Sequence, residues 1–188
     1  MKLTIDFSEP IADLSLAVSD VARAWYIDAP KFSPVVLGDW KGSVAQGGSV
    51  NFFNVEFNPH AHGTHTETAG HITKKRHSIN KHFRDFMTKS LVLTLPVKDG
   101  RVHVADFHAV WKKAEEKGWV FAARSIVLRT NTAENPTEKL FSGTNWPFLE
   151  AEIGLFLREE GIDHLIIDQP SVDKEEDGGA LACHHAFW

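Results

Sequence analysis

Residues Leu149–Pro170 read LEAEIGLFLREEGIDHLIIDQP, and they place the chain in a fold class. The spacing predicts a helix over Leu149–Gly161 with Ile153, Phe156 and Leu157 facing inward. HLIIDQP, His164–Pro170, then reads as a strand buried along Leu165–Ile167. The same alternation extends toward the N-terminus. SIVLRT (Ser125–Thr130) reads as a strand. VADFHAVWKKAEEKG (Val104–Gly118) reads as a helix, with Phe107, Val110, Trp111 and Ala114 on one face and Gly118 as its stop. SLVLTLPV (Ser90–Val97) reads as a strand ended by the turn signal Asp99-Gly100. Strands alternating with helices on one core predict an α/β fold with a mixed β-sheet.

The first half is less regular. SVNFFNVEF (Ser49–Phe57) follows Gly47-Gly48 and is β-branched and aromatic, which predicts a strand. LTIDF (Leu3–Phe7) alternates and predicts another. ADLSLAVSDVARAWYI (Ala12–Ile27) suits either a helix or a strand plus turn. No repeat, low-complexity tract or linker interrupts the chain, so residues 1–188 are expected to form a single domain.

Composition narrows the function. The 188 residues are 43% hydrophobic, enough for one sizeable core. A net charge of −5 and a pI near 6.1 exclude a global basic field for nucleic acid. The run Lys74-Lys75-Arg76 reads as a solvated face. Cys183 is the single cysteine, which excludes an internal disulfide and suits a reducing compartment. Asp6, Glu9 and Asp13 break any signal-peptide core. No segment approaches the roughly 20 apolar residues of a membrane helix. The expectation is a soluble cytoplasmic protein with no nucleic-acid or membrane partner.

The strand Ser49–Phe57 runs into HAHGTHTETAGHI, His60–Ile72, with four histidines and one glutamate in thirteen residues. His65 and Glu67 point the same way in extended backbone. Gly63 permits a bend that returns His60 or His62 toward them. Two imidazoles and a carboxylate converging on one point suit zinc or another first-row divalent ion. His71 lies beyond an Ala-Gly turn, beside this group. A second histidine pair, His184-His185, follows DQPSVDKEEDGGALAC near the chain end. Trp25, Trp40, Phe53 and Trp146 are candidates for an aromatic substrate pocket.

GTHTETAGH resembles the H-x-G-T-H-x-D-x-P-x-H signature of the cyclase family of metal-dependent hydrolases, which includes kynurenine formamidases and isatin hydrolases. GIDHLIIDQPSVD (Gly161–Asp173), CHHAFW, IDFSEPI and VLRTN fit the same family in order along the chain. The resemblance implies its swivelling β/β/α architecture and homo-oligomers, dimer or tetramer. It implies zinc or manganese on His60, His65, Glu67 and His184, with His62 as the rival of His60, and a catalytic rather than ligating His71. A small amide, formamide or lactam is the implied substrate, opened by metal-activated water.

Four departures stand out. Ala61 occupies the place of the first motif histidine, with His60 one position early and His62 one late. Glu67 replaces the common aspartate, and Ala69 replaces the motif proline. The family's further metal carboxylate, about a dozen residues after the late histidine, would fall beyond Trp188. The expectation is therefore a chain lacking its C-terminal end that holds at most one metal ion tightly. The alternative is a non-catalytic metal-binding or interaction module on the same fold.

Overall fold

A computed structural model describes residue 8, residues 12–130 and residues 135–188. Its strands are β1 (Lys31–Pro34), β2 (Val36–Leu37), β3 (Trp40–Lys41), β4 (Phe53–Glu56), β5 (Ser90–Thr94), β6 (Arg101–Val102), β7 (Ser125–Arg129), β8 (Phe148–Leu149) and β9 (His164–Ile167). Its α-helices are α1 (Ile79–His82), α2 (Val104–Glu116), α3 (Ala151–Glu159) and α4 (Ala182–Phe187). The α/β class holds. Parallel and antiparallel pairings both occur, divided among four small sheets among the described residues. The strand expected over Leu3–Phe7 lies outside the described residues.

The alternation in the second half becomes a parallel sheet of order β5-β7-β9. Helix α2 links the first two strands and α3 the last two. Crossovers of one hand, with the sheet growing in one direction, put both helices on the same face. There Leu91, Leu93, Leu95, Ile126 and Leu128 meet Phe107, Trp111, Ala114, Ile153 and Leu157 in one core. Each large apolar side chain buried this way contributes roughly 1.5–3 kcal/mol of transfer free energy. Helix α2 stops where expected, with Gly118 in the left-handed region at φ +69°. Its N-terminus lacks a cap of its own. Glu150, from the β8–α3 junction, accepts the Val104 N–H at 2.8 Å and contacts His103 at 3.0 Å.

Among the described residues, the opposite face carries no helix. Val92, Val127 and Ile166 stand in register across it, with Val92 54% and Ile166 43% exposed. The expectation of burial throughout Leu165–Ile167 is therefore corrected: β9 is covered on one side only, and Ile166 points to the other. This open side forms a wall of the cavity described below.

In the first half, β4 pairs antiparallel with β1, and β2 with β3. The strand expected over Ser49–Phe57 is confined to Phe53–Glu56, and all four residues are exposed. Residues 12–27 form neither a helix nor a regular strand. Ser15, Val21, Ala22 and Ile27 N–H groups bond within the segment, and others are tied to distant chain: Leu16 N–H to Thr64 Oγ1 at 2.8 Å, Arg23 N–H to Lys139 C=O at 3.3 Å, and Ala24 N–H to Ala61 C=O at 3.0 Å. Such a segment satisfies the latter donors by lying across the domain rather than by coiling on itself.

Candidate metal centre

The histidine loop begins at a tight turn. Asn58 accepts the Ala61 and His62 N–H groups on its carbonyl, both at 3.1 Å, and the His60 N–H on its side chain at 2.9 Å. Gly63 then adopts φ +135°, where a Cβ would come within 3.0 Å of the Leu16 carbonyl. Thr64 fastens the next residue to Leu16 through two hydrogen bonds. His65 and Glu67 follow in chain that belongs to no helix or strand. Thr68 caps a 3₁₀ turn over Ala69–His71 that swings His71 back toward them.

The turn separates His60 from its rival. His62 is 2% exposed and uses both ring nitrogens away from the cluster. Its Nδ1 accepts the Asn58 N–H at 2.9 Å, and its Nε2–H donates to the Asp28 carbonyl at 2.7 Å. Those two partners can only donate and only accept respectively, so the ring's tautomer and orientation are fixed and it serves as a structural group.

Glu67 sits among four imidazoles. Its Oε1 lies 2.6 Å from His60 Nδ1, 3.1 Å from His65 Nε2 and 3.8 Å from His71 Nε2. Its Oε2 lies 3.5 Å from His184 Nε2. The backs of two rings are anchored. His65 Nδ1–H donates to the Gly63 carbonyl at 3.2 Å, and His184 Nδ1 meets Asp173 Oδ2 at 2.6 Å. Both rings therefore present Nε2 inward. Asp173 is 4% exposed and also accepts the Cys183 and His184 N–H groups, so it seats the start of α4 and aims its histidine.

The field is strong. Burial alone would raise the Glu67 carboxyl, but hydrogen bonds from His184 and His65 and the nearby His71 and His60 hold it well below the usual carboxylate range. Burial would likewise lower His184, yet Asp173 and Glu67 outweigh it and push the ring up to about 9. His65 is raised by its hydrogen bond to Glu67, whereas burial lowers His71. A site that draws protons onto imidazoles also draws a divalent cation, which releases them on binding.

The donors fit such an ion. Ligand atoms of His60, His65 and Glu67 lie within 4.8 Å of one another, as do those of Glu67, His71 and His184. The observed contacts bracket the separation of about 3.3 Å between neighbouring donors on a tetrahedral first-row ion. The two sets share Glu67. They bring together all five residues singled out in the sequence, with His71 as near to the second set as a ligand would be.

The neighbouring acids take other partners. Asp168 turns away to accept the Thr130 N–H at 2.9 Å and hydroxyl at 2.8 Å, tying the end of β9 to that of β7. Glu175 reaches across to accept the Gly143 and Asn145 N–H groups, and Asp177 accepts the Gly179 and Leu181 N–H groups of its own loop, where Gly178 and Gly179 take positive φ. Asp173 was not assigned a role from sequence. Its only signal was its place in the PSVD segment. None of Trp25, Trp40, Phe53 and Trp146 lines the cavity beside the histidines. Trp146 instead packs edge-on against Trp25 at 4.8 Å in a small core. The cavity, about 550 Å³, takes its aromatics from Phe83, Phe86, Phe141, Phe187 and Trp188.

The family model described as "Putative cyclase" matches residues 12–174. The chain belongs to the cyclase family. It is 32% identical over 187 residues to the kynurenine formamidase of Bacillus anthracis, covering 98% of this chain and 76% of that protein. The kynurenine formamidase of Bacillus cereus strain ATCC 14579 is 30% identical over 182 residues, covering 94% and 76% respectively. The family matches join the histidine loop, the parallel sheet and the PSVD segment in one frame, and both formamidase alignments extend over almost the whole of this chain.

Proposed function

We propose that this cyclase-family chain is a metal-dependent hydrolase that cleaves the C–N bond of a small amide, formamide or lactam, with an aryl formamide as the best-supported substrate. One observation carries the reading: Glu67 stands at the centre of four imidazoles on the wall of a cavity of about 550 Å³. The names of the formamidase relatives support it.

His60, His65, Glu67 and His184 would hold the ion, zinc or manganese. A divalent ion supplies Lewis acidity when bound, acidifying water and drawing charge off a carbonyl oxygen. Asp173 and the Gly63 carbonyl orient the His184 and His65 rings by holding their Nδ1 atoms. Burial keeps the His71 ring below its ordinary pKa, so it is neutral at neutral pH and free to accept a proton at Nε2. As water adds to the formyl carbon, His71 takes its proton and delivers it to the leaving nitrogen. The C–N bond breaks, and the products are formate and the free amine.

Cys183, buried and unpaired, suits a reducing cytoplasm. Among the described residues, no helix is long and apolar enough to cross a membrane. The deciding experiment loads the purified chain with zinc or manganese, measures bound metal, and follows release of formate from formanilide. Metal binding with turnover supports the proposal. Tight metal binding without turnover on any formamide, amide or lactam would favour the non-catalytic module.

A further inference from the structure

We propose that Arg23 is the seat for a carboxylate carried by the substrate, remote from the scissile bond, and that it sets the specificity of the site. The inference rests on the hydrolase reading above. Arg23 is the only lysine or arginine among the described residues that line the cavity. Its Nε is buried without a hydrogen bond, and the guanidinium makes no ion pair among the described residues. A buried donor of this kind is costly unless something accepts from it.

The carboxylates on the same walls do not answer it. Glu67 is enclosed by imidazoles. Asp85 and Asp163 are paired with Arg124 at 3.3 and 2.5 Å. Asp168 is occupied by Thr130. Among the described residues, every acid lining the cavity is thus spent on another group and the one guanidinium is left open.

The position of Arg23 is held by the backbone. Its N–H donates to the Lys139 carbonyl at 3.3 Å, and its carbonyl accepts the Phe141 N–H at 2.7 Å. The next residue, Ala24, donates to the carbonyl of Ala61, the neighbour of His60. Ala22 and Ala24 are each 4% exposed, which clamps the segment on both sides of the arginine. The guanidinium therefore stands on the wall that also carries the histidine loop, at a site anchored to it by a hydrogen bond.

The chemistry of the ligand follows. A planar fork of N–H donors matches a carboxylate in two parallel hydrogen bonds. One monoanion neutralises one guanidinium. A phosphate monoester would bring a second charge among four carboxylates. With apolar side chains such as Leu14, Leu16 and Phe141 on the same walls, the fitting molecule is an apolar or aromatic formamide bearing one carboxylate.

The test compares 4-formamidobenzoate, whose carboxylate lies across the ring from the formamide, with formanilide, which lacks the carboxylate. For the metal-loaded wild-type chain, the ratio of their kcat/KM values is expected to favour the acid by about tenfold or more, the worth of a charged hydrogen-bonded pair. Arg23→Gln should collapse that ratio, and Arg23→Lys should retain part of it. Binding of 4-aminobenzoate and aniline to the full chain, measured by calorimetry, gives a readout independent of turnover. Preference for 4-aminobenzoate in wild type and its loss in Arg23→Gln would support the carboxylate seat even if neither formamide is hydrolysed, in which case the hydrolase reading alone fails. An unchanged preference in Arg23→Gln overturns the assignment, whatever the activity. Phenyl phosphate binding more tightly than benzoate overturns the choice of a carboxylate.

Discussion

At the scale of single residues, the site depends on which nitrogen of each histidine is free. His60 and His62 differ by two positions in one turn, yet hydrogen bonds from Asn58 and to Asp28 occupy both nitrogens of His62 and leave His60 facing Glu67. His65→Ala should therefore lose most of its bound metal, measured by elemental analysis after gel filtration. His71→Ala should keep the metal and lose turnover by roughly 10²- to 10⁴-fold, the usual contribution of a positioned proton carrier. Equal loss of metal in both variants would make His71 a ligand, which its place in the second donor set allows. Asp173→Asn tests the support of His184. Removing that charge should weaken metal binding by about 10- to 100-fold in a zinc titration. An unchanged affinity would mean that α4 aims His184 without Asp173.

At the scale of elements, the late histidine is delivered by a helix of only six residues, Ala182–Phe187, pressed onto α3. The close approach occurs at Gly154. A Cβ there would stand 2.9 Å from the Cys183 carbonyl and 3.1 Å from its Sγ. Gly154→Ala should shift α4, cost about 1–3 kcal/mol of stability as an overpacked core substitution does, and weaken metal binding. A denaturant melt reads the first effect and a metal titration the second. If the variant is stable and binds metal like wild type, α4 accommodates the methyl and its position is not set by that contact. The helices α2 and α3 were legible from their spacing because each buries one face. Residues 12–27 were not, because several of their hydrogen-bond partners lie at Ala61, Thr64 and Lys139, far away in sequence.

At the scale of the whole molecule, the β1–β4 ribbon exposes Phe32 (57%), Phe53 (43%) and Val55 (53%), and Phe57 follows at 48%. Contiguous apolar surface of this kind marks an association face. The expected outcome is a homodimer or tetramer in light scattering at micromolar concentration, with Val55→Lys shifted toward monomer. A wild-type chain that is only monomeric would refute this.

Stability should also depend on pH in the chelator-treated chain. His184 is raised from 6.5 to about 9, so its contribution is present below 6.5 and lost as pH rises toward 9. Burial raises Cys183 from 9.0 to about 12, so a further contribution is lost between those values as the unfolded thiol ionises and the folded one does not. Asp173 and Glu67 are lowered, so theirs is lost as pH falls below about 4. Denaturant midpoints should be highest between roughly pH 5 and 6.5. A midpoint that does not fall between pH 6.5 and 9 would remove the His184 pairing from the account.

Local pattern was enough to establish the alternation of strands and helices, the stop at Gly118 and the concentration of imidazoles around Glu67. Each of these depends on neighbours a few residues apart, through helical spacing, backbone freedom at glycine or side-chain chemistry. Folding settled the rest. It left one face of β9 open because both crossover helices fall on the other. It withdrew His62 into a structural role and turned Asp168 onto Thr130. It also set Asp173 behind His184 and left the Arg23 guanidinium without an ion pair among the described residues. Those outcomes depend on hydrogen bonds and packing between segments that only the tertiary fold brings together, where the burial of each polar group determines what it must bind.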